Sequence, residues 1–203
     1  YFALAVFAFI AIASVVKLFI ADDLLLQEAN GEPEGGVVLG QYQSWVIDMA
    51  SAYATLAASG IYRQPYFVQK VTDSDGNVLF ERQKNDGQRV FPAKVADNVT
   101  SALEPIAAYS NGNALSDGTY GTRPSAAKTG TVQLGDTGQN KDAWMVGATP
   151  QLATSVWVGT ADNTSAIFDQ YGGIMYGAGA PTKIWKSVLD NSLAGQEFQQ
   201  FPS

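Results

Sequence analysis

The chain has 203 residues, with 12 lysines and arginines against 19 aspartates and glutamates and a formal net charge of −7. It contains no cysteine and no histidine, so disulfides, thiol nucleophiles, zinc–thiolate sites and Ser–His–Asp triads are all excluded. An acidic chain without a basic run is a poor partner for nucleic acid. Any catalysis must therefore depend on Ser, Thr, Lys, Tyr or carboxylate side chains, and the apolar content of 46% is enough to build the core of one domain.

The chain divides into three stretches that differ in composition. Residues 1–26 are an apolar run that ends around Asp22 and Asp23. Since about 20 apolar residues suffice to cross a bilayer, this run is long enough for a membrane span, but it is equally typical of a helix buried on all sides. We expect the buried helix and keep the membrane span as the alternative. Residues 27–40 are polar and rich in glycine, which predicts a loop, and residues 41–203 alternate helical and strand patterns.

The first elements predicted after this loop are a helix and a hairpin. Apolar spacing predicts a helix over residues 45–58, with Ser44 as a candidate N-cap. Residues 66–72 have the composition of a strand, an Asp-Ser-Asp-Gly turn follows at 73–76, and residues 77–80 return as the second strand.

A second helix and an open connection come next. Pro92 is suited to the first turn of a helix, and the apolar residues after it recur at helical spacing, at Val95, Val99, Leu103 and Ile106. Residues 109–123 are rich in Gly, Ser and Asn and predict a loop.

Three strands and a last helix complete the predicted elements. The strands cover residues 126–134, 143–149 and 152–159, and the gap of two residues at 150–151 predicts a tight antiparallel connection. Pro181 opens a helix over residues 182–193, and Gly195 ends it. Helices that bracket an antiparallel sheet indicate an α+β fold.

The densest chemical signal is the run Lys128-Thr129-Gly130-Thr131 at the start of the first of these three strands. Lys128 places a positive charge in an acidic protein, Thr129 and Thr131 add hydroxyl donors, and Gly130 lets a ligand backbone approach closely. On an edge strand, such a run is suited to bind an anion and to pair with an extended peptide. A surface lysine on a threonine-rich strand is the simpler alternative, because four-residue strings are common by chance.

Strand geometry limits how this run can act. Because side chains alternate, Lys128 and Gly130 lie on one face of the strand, and Thr129 and Thr131 lie on the other. We expect these four residues to meet one ligand only at the twisted edge of a sheet.

The run and its surroundings resemble the transpeptidase domain of penicillin-binding proteins, which shares the fold of class A β-lactamases. Lys-Thr-Gly is the third motif of that group, after S-x-x-K and S-D-N. Flanking segments that fit the family in order and spacing lie at 49–57, 142–150, 156–159 and 177–185. The resemblance runs from about residue 37 to residue 193 and is to the bifunctional class A proteins of actinobacteria in particular. It implies a β-lactamase/transpeptidase-like α+β fold.

Two of the family's motifs have no good counterpart here. An S-x-x-K string occurs at Ser14-Val15-Val16-Lys17, but it lacks the family's following residues and precedes Lys128 by 114 residues without an S-x-N between them. Tyr109-Ser110-Asn111 looks like a second motif, but it stands too close to Lys128. Residues 1–203 are therefore interpreted as the C-terminal portion of one transpeptidase domain, whose first part, with nucleophile and general base, is missing.

The resemblance also implies a reaction and a role for each motif residue. The reaction is acyl transfer through a serine ester, which cross-links peptidoglycan stem peptides and is inhibited by β-lactams, without metal or cofactor. Lys128 would hold the second-motif serine and supply positive potential. The hydroxyls of Thr129 and Thr131 would bind the substrate's terminal carboxylate, and the Thr131 backbone N–H would be an oxyanion donor. The expected location is the extracytoplasmic face of a bacterial membrane, with the membrane segment outside this chain.

Two other functions stay open at this point. A β-lactamase or D,D-carboxypeptidase could carry the same fold, and the threonine after Lys-Thr-Gly and the Trp-rich strands favour the transpeptidase. A non-catalytic module that binds β-lactams or peptides would also lack the catalytic motifs. The expected partners are stem peptides, β-lactams and the missing first part of the same protein.

Overall fold

The structure is a computed structural model that describes residues 43–116, 118 and 121–202. Its elements, in chain order, are α1 (Val46–Ala57), β1 (Ile61–Tyr62), β2 (Lys70–Thr72), β3 (Val78–Glu81), β4 (Gln88–Arg89), α2 (Ala93–Leu103), α3 (Ile106–Tyr109), β5 (Leu115–Ser116), β6 (Thr122–Arg123), β7 (Ala126–Gln133), β8 (Asn140–Ala148), β9 (Ala153–Gly159) and α4 (Ala180–Ser192). The predicted apolar helix at 1–26 and loop at 27–40 lie outside the described residues. None of the helices described is long and apolar enough to cross a bilayer.

The main elements agree with the sequence predictions, and the differences lie in the connections. The helices predicted after residue 43 and the three long strands are confirmed within a few residues at their ends, except that the second helix ends at Leu103 and Ile106 begins a separate short helix, α3. The first hairpin strand is shorter than predicted, because pairing with β3 begins only at Lys70. Two short antiparallel pairs, β1 with β4 and β5 with β6, occupy segments for which no strand was predicted. These pairs of two residues are too short to leave an alternating pattern in the sequence.

Two local predictions are wrong for identifiable reasons. Ser44 is not the N-cap of α1: Trp45 takes that position, and its carbonyl accepts the first N–H groups of the helix. The connection between β8 and β9 spans residues 149–152 instead of two residues. It is longer because the Thr149 hydroxyl accepts hydrogen bonds from the backbone N–H groups of Gln151 and Leu152, which closes a local turn before the strands pair.

The centre of the fold is the antiparallel sheet β7-β8-β9. Its register pairs Gly130 with Trp144 and Met145 with Val156. Side chains of directly paired residues point to the same face, so this register fixes which residues of β7 face each side of the sheet. The observed α+β architecture, an antiparallel sheet with helices on both faces, confirms the predicted fold class.

Each face of the sheet is covered by its own apolar cluster. On one face, Ala126, Val146 and Ala148 pack with residues of α1 and α2, among them Tyr53 and Leu103. On the other face, Trp185 and Leu189 of α4 belong to a second buried cluster, together with Ala127 and Met145 of the sheet. The sheet is thus held between two helical layers, and burial on both faces fixes its register.

A buried arginine in β6 forms hydrogen bonds with the chain at the C-terminal end of α4. Arg123 is 2% exposed, and its Nη2 donates to the carbonyl oxygens of Leu193 at 2.8 Å and Gln196 at 2.9 Å. Its Nη1 donates to Gln151 Oε1 at 3.0 Å, and the guanidinium lies 4.2 Å from the centre of the Phe198 ring. A positive charge at the C-terminus of a helix is also favoured by the helix dipole.

We predict that Arg123→Met lowers the free energy of unfolding by about 2–4 kcal/mol, because it leaves buried carbonyl groups without their donor. Arg89→Met is the matched control. Arg89 also donates to two backbone carbonyls, those of Ser59 and Phe91, but it is exposed, so its loss should cost at most about 1 kcal/mol. Urea unfolding followed by circular dichroism measures both, and equal effects would show that burial is not what makes Arg123 important.

Candidate functional site

The predicted motif lies on the outer strand of the central sheet. Lys128, Thr129, Gly130 and Thr131 pair with residues 143–146 of β8 on one side. Among the described residues, no strand pairs with the other side of β7. The Lys128 strand therefore lies at the edge of the described sheet, which is the position from which a strand can pair with an extended peptide.

Lys128 lies on the face of β7 that is covered by α1 and α2. Its ammonium Nζ donates to the Thr129 carbonyl oxygen at 3.0 Å, and the side chain is partly buried. Burial lowers the pKa of Lys128, because removing the ammonium from water disfavours its charged form. The site therefore holds a cation that is less hydrated than a surface lysine, which strengthens its attraction for an anion.

The two threonines lie on the opposite face, toward α4, as the alternation predicted. Thr131 is exposed, and its Oγ1 accepts a hydrogen bond of 3.1 Å from the backbone N–H of Gly177. Thr129 is partly buried on the same face. The ammonium and the hydroxyls thus lie on opposite sides of one strand, and a common ligand can reach them only across its outer edge.

Gly130 has a structural reason for its lack of a side chain. A Cβ added to Gly130 would lie 3.2 Å from Trp144 Cβ, so the Trp144 side chain occupies the space beside it. On the other face, a Cβ added to Gly177 would lie 2.6 Å from the Gly130 carbonyl oxygen and 2.5 Å from that of Trp144. The space that Gly130 is expected to leave for a ligand is therefore approached by protein groups from both faces.

Trp144, Trp157 and Trp185 differ in burial. Trp185 is fully buried, whereas Trp157 is 36% exposed. Trp144 and Trp157 form a tilted pair with ring centres 6.2 Å apart, and Trp157 Nε1 donates to Asp142 Oδ1 at 2.6 Å. Asp142 is a buried residue within β8 that orients this indole.

The triplet Tyr109-Ser110-Asn111 has a structural role at the end of α3. The Ser110 hydroxyl donates to the Ile106 carbonyl at 2.8 Å, within its own helix turn. Asn111 has a positive φ of 57°, and its side-chain amide donates to the Ala178 carbonyl at 2.9 Å. Ser14 and Lys17 lie outside the described residues.

Sequence reasoning missed the segment that supports Thr131 from behind. Gly177 and its neighbours were used as part of the family resemblance, but nothing in their spacing indicates a contact with β7, 46 residues earlier. Two surface depressions, of about 200 and 170 Å³, are lined by residues around Arg123 and around Pro150, and neither includes a motif residue. The motif instead lies along the outer edge of β7, which no described strand covers.

A comparison with protein families settles which kind of domain this is. The family model of the penicillin binding protein transpeptidase domain matches residues 46–189. The chain belongs to the penicillin-binding protein transpeptidase family. That match confirms the resemblance seen in the sequence and covers the motif and both helical layers around the sheet.

The relatives of this transpeptidase chain include actinobacterial proteins. It is 57% identical over 174 residues to penicillin-binding protein 1A of Mycolicibacterium smegmatis, which covers 85% of this chain and 22% of the relative. The solved structure of PonA1 from Mycobacterium tuberculosis in complex with penicillin V is 55% identical, with a TM-score of 0.79, and the match covers 87% of this chain and 46% of that one. Penicillin-binding protein 1A from Haemophilus influenzae, 20% identical with a TM-score of 0.65 over 84% of this chain and 29% of that one, shares the fold. The chain spans about a fifth of the length of the curated relative.

We predict that the Lys128 amine titrates below its ordinary pKa of 10.5, because burial disfavours the ammonium. The unfolded chain then binds more protons than the folded one between the lowered pKa and 10.5. The free energy of unfolding should therefore rise with pH across that window, while the positive charge available to an anion is lost. NMR of lysine side chains measures the midpoint, and Lys128→Arg identifies the resonance by its disappearance. A midpoint at or above 10.5 would contradict the prediction.

Proposed function

We propose that the chain is part of a serine-type D,D-transpeptidase that cross-links peptidoglycan stem peptides through an acyl-enzyme and is inhibited by β-lactams. The observation that carries this proposal is the Lys128–Thr131 run on the outer edge of β7, with a partly buried cation on one face and a supported hydroxyl on the other. The penicillin V complex of a 55% identical structure supports the assignment of β-lactams as ligands.

The proposed reaction has two steps. A serine hydroxyl attacks the penultimate D-Ala carbonyl of a stem peptide, its proton passes to a base, and the terminal D-Ala leaves with a proton on its amine. An amine of a neighbouring stem peptide then attacks the serine ester, forms the cross-link and releases the serine. A β-lactam enters the first step in place of the stem peptide, and opening of its ring leaves the acyl group on the serine.

Each motif residue has a separate part in this proposal. The Lys128 ammonium supplies positive potential and holds the serine of the second motif. The Thr129 and Thr131 hydroxyls bind the terminal carboxylate, and the Thr131 backbone N–H stabilises the oxyanion of the tetrahedral intermediate. One such oxyanion donor contributes about 3–4 kcal/mol in measured enzymes.

The nucleophile and the general base belong, in this proposal, to a part of the domain that precedes the motif and is not among these 203 residues. The outer edge of β7, which no described strand covers, supports this arrangement, because a serine opposite that edge would complete the site. The proposed location is the extracytoplasmic face of a bacterial membrane, with the membrane segment outside this chain.

The 203-residue polypeptide on its own is predicted to form no stable covalent adduct with penicillin, since the proposed nucleophile is not in it. Intact-mass spectrometry after incubation with penicillin measures this directly. A mass increase of one penicillin on any serine would overturn the assignment of the nucleophile to another part of the protein, and Ser14 would become the first residue to test.

Thr131→Val in the full-length enzyme should slow acylation by carboxylate-bearing β-lactams roughly 10- to 100-fold. The reason is that a hydrogen bond to a charged group contributes about 1.5–3 kcal/mol. The backbone oxyanion donor remains, so acylation should slow without being lost. Valine keeps the β-branched shape, but the Gly177 N–H loses its acceptor, so the free energy of unfolding should fall by about 1–2 kcal/mol.

Thr122→Val is the matched control, because Thr122 is an exposed strand threonine outside the motif. Its acylation rate should equal that of the unchanged enzyme, measured with a fluorescent penicillin at equal folded fraction. If Thr131→Val also acylates at the unchanged rate, the assignment of Thr131 to carboxylate binding fails.

A further inference from the structure

A short loop before α4 is held by several hydrogen bonds on the side of β7 that faces α4. We call residues 175–179 the clamp loop. The carbonyl oxygens of residues 175–178 each accept a hydrogen bond. The donors are Asn140 Nδ2 to Met175 at 2.8 Å, the Gly179 N–H to Tyr176 at 2.9 Å, Thr182 Oγ1 to Gly177 at 2.6 Å and Asn111 Nδ2 to Ala178 at 2.9 Å. Three of these donors are side chains from three different elements or connections, so the position of the loop is set by tertiary contacts.

The clamp loop contacts the motif through the Gly177 backbone. The Gly177 N–H donates to Thr131 Oγ1 at 3.1 Å, and the space for a side chain at Gly177 is closed by carbonyl oxygens of β7 and β8. The Gly177 carbonyl oxygen accepts a hydrogen bond from the buried Thr182 hydroxyl. Both the N–H and the carbonyl of Gly177 are therefore hydrogen-bonded.

This contact determines what the Thr131 hydroxyl can do. A hydroxyl has one hydrogen to donate and two lone pairs that accept. Because one lone pair receives the Gly177 N–H, the hydroxyl hydrogen points away from the clamp loop, and no hydrogen bond donated by Thr131 is found among the described residues. Thr131 is exposed, so this hydrogen is directed outward as a donor for a ligand.

We propose that the clamp loop fixes the Thr131 hydroxyl as a hydrogen-bond donor toward the substrate carboxylate, with Thr182 and Asn111 as positioning residues that act through Gly177. The inference rests on the proposed function of Thr131. It assigns a role to two side chains that do not themselves touch the ligand, and one of them, Asn111, belongs to a triplet that resembles a catalytic motif.

The test is a double-mutant cycle in the full-length enzyme, with the second-order rate of acylation by a fluorescent penicillin as the readout. Thr182→Val removes the hydroxyl but keeps the β-branched shape, and Thr182→Ser keeps the hydroxyl. We expect Thr182→Val to slow acylation roughly three- to tenfold and Thr182→Ser to restore most of the rate, because one neutral hydrogen bond is lost in the first variant only. Thr100→Val is the matched control, since Thr100 is also a buried threonine that bonds a carbonyl, that of Ala96, but lies in α2.

The decisive measurement is the effect of Thr182→Val when Thr131 is already valine. If Thr182 acts through the Thr131 hydroxyl, its substitution should change the rate less than about twofold in that background, because coupled residues are not additive. Equal effects of Thr182→Val in both backgrounds would overturn the inference and leave the proposed role of Thr131 standing. No effect of Thr131→Val would overturn the proposed function itself.

A second variant covers the case in which Thr182→Val fails to fold. Asn111 is exposed at a positive φ, a conformation that glycine adopts without strain, so Asn111→Gly removes the amide donor without disturbing the backbone. Asn111→Gly should slow acylation in the same direction as Thr182→Val and should lose its effect in the Thr131→Val background. An unchanged rate for Asn111→Gly would contradict the role of Asn111 in holding the clamp loop.

Discussion

The register between β7 and β8 is the constraint on which the rest of the structure depends. Pairing of Gly130 with Trp144 directs Lys128 toward α1 and α2 and both motif threonines toward α4. A shift of one residue would exchange these faces, placing the lysine in the apolar cluster around Trp185. Burial of both faces makes such a shift costly, so the packing that stabilises the domain also places its charged and hydroxyl groups.

At the edge of the sheet, one ligand can reach both a cation and hydroxyl donors, which lie on opposite faces of the strand. A carboxylate receptor needs a cation and hydroxyl donors, and alternation separates Lys128 from Thr129 and Thr131. An outer strand lets a ligand lie alongside its backbone and reach both sides. The chain as a whole is acidic, so a partly buried lysine at this edge is a local positive region in a protein that otherwise repels anions.

Much of the fold was predictable because its signals are local. Helical spacing indicated α1, α2 and α4, and apolar, β-branched composition indicated the three long strands. The errors have local causes as well: Trp45 takes the N-cap position expected for Ser44, and the Thr149 hydroxyl lengthens the β8–β9 connection. The two-residue strand pairs could not be predicted, because their partners lie up to 28 residues apart and each is too short for a pattern.

The sequence by itself determined the family and the motif. Lys128-Thr129-Gly130-Thr131 and its flanking segments are contiguous in the chain, so their residue types and order can be recognised without knowledge of the fold. Alternation along a single strand also determined that the lysine and the threonines face opposite sides. Only the tertiary structure decided which other segments contact those residues. The contact between Gly177 and Thr131, and the Asn111 and Thr182 side chains that fix it, join segments as far as 67 residues apart. No local pattern records them, because such contacts follow from the packing of α3, α4 and the sheet.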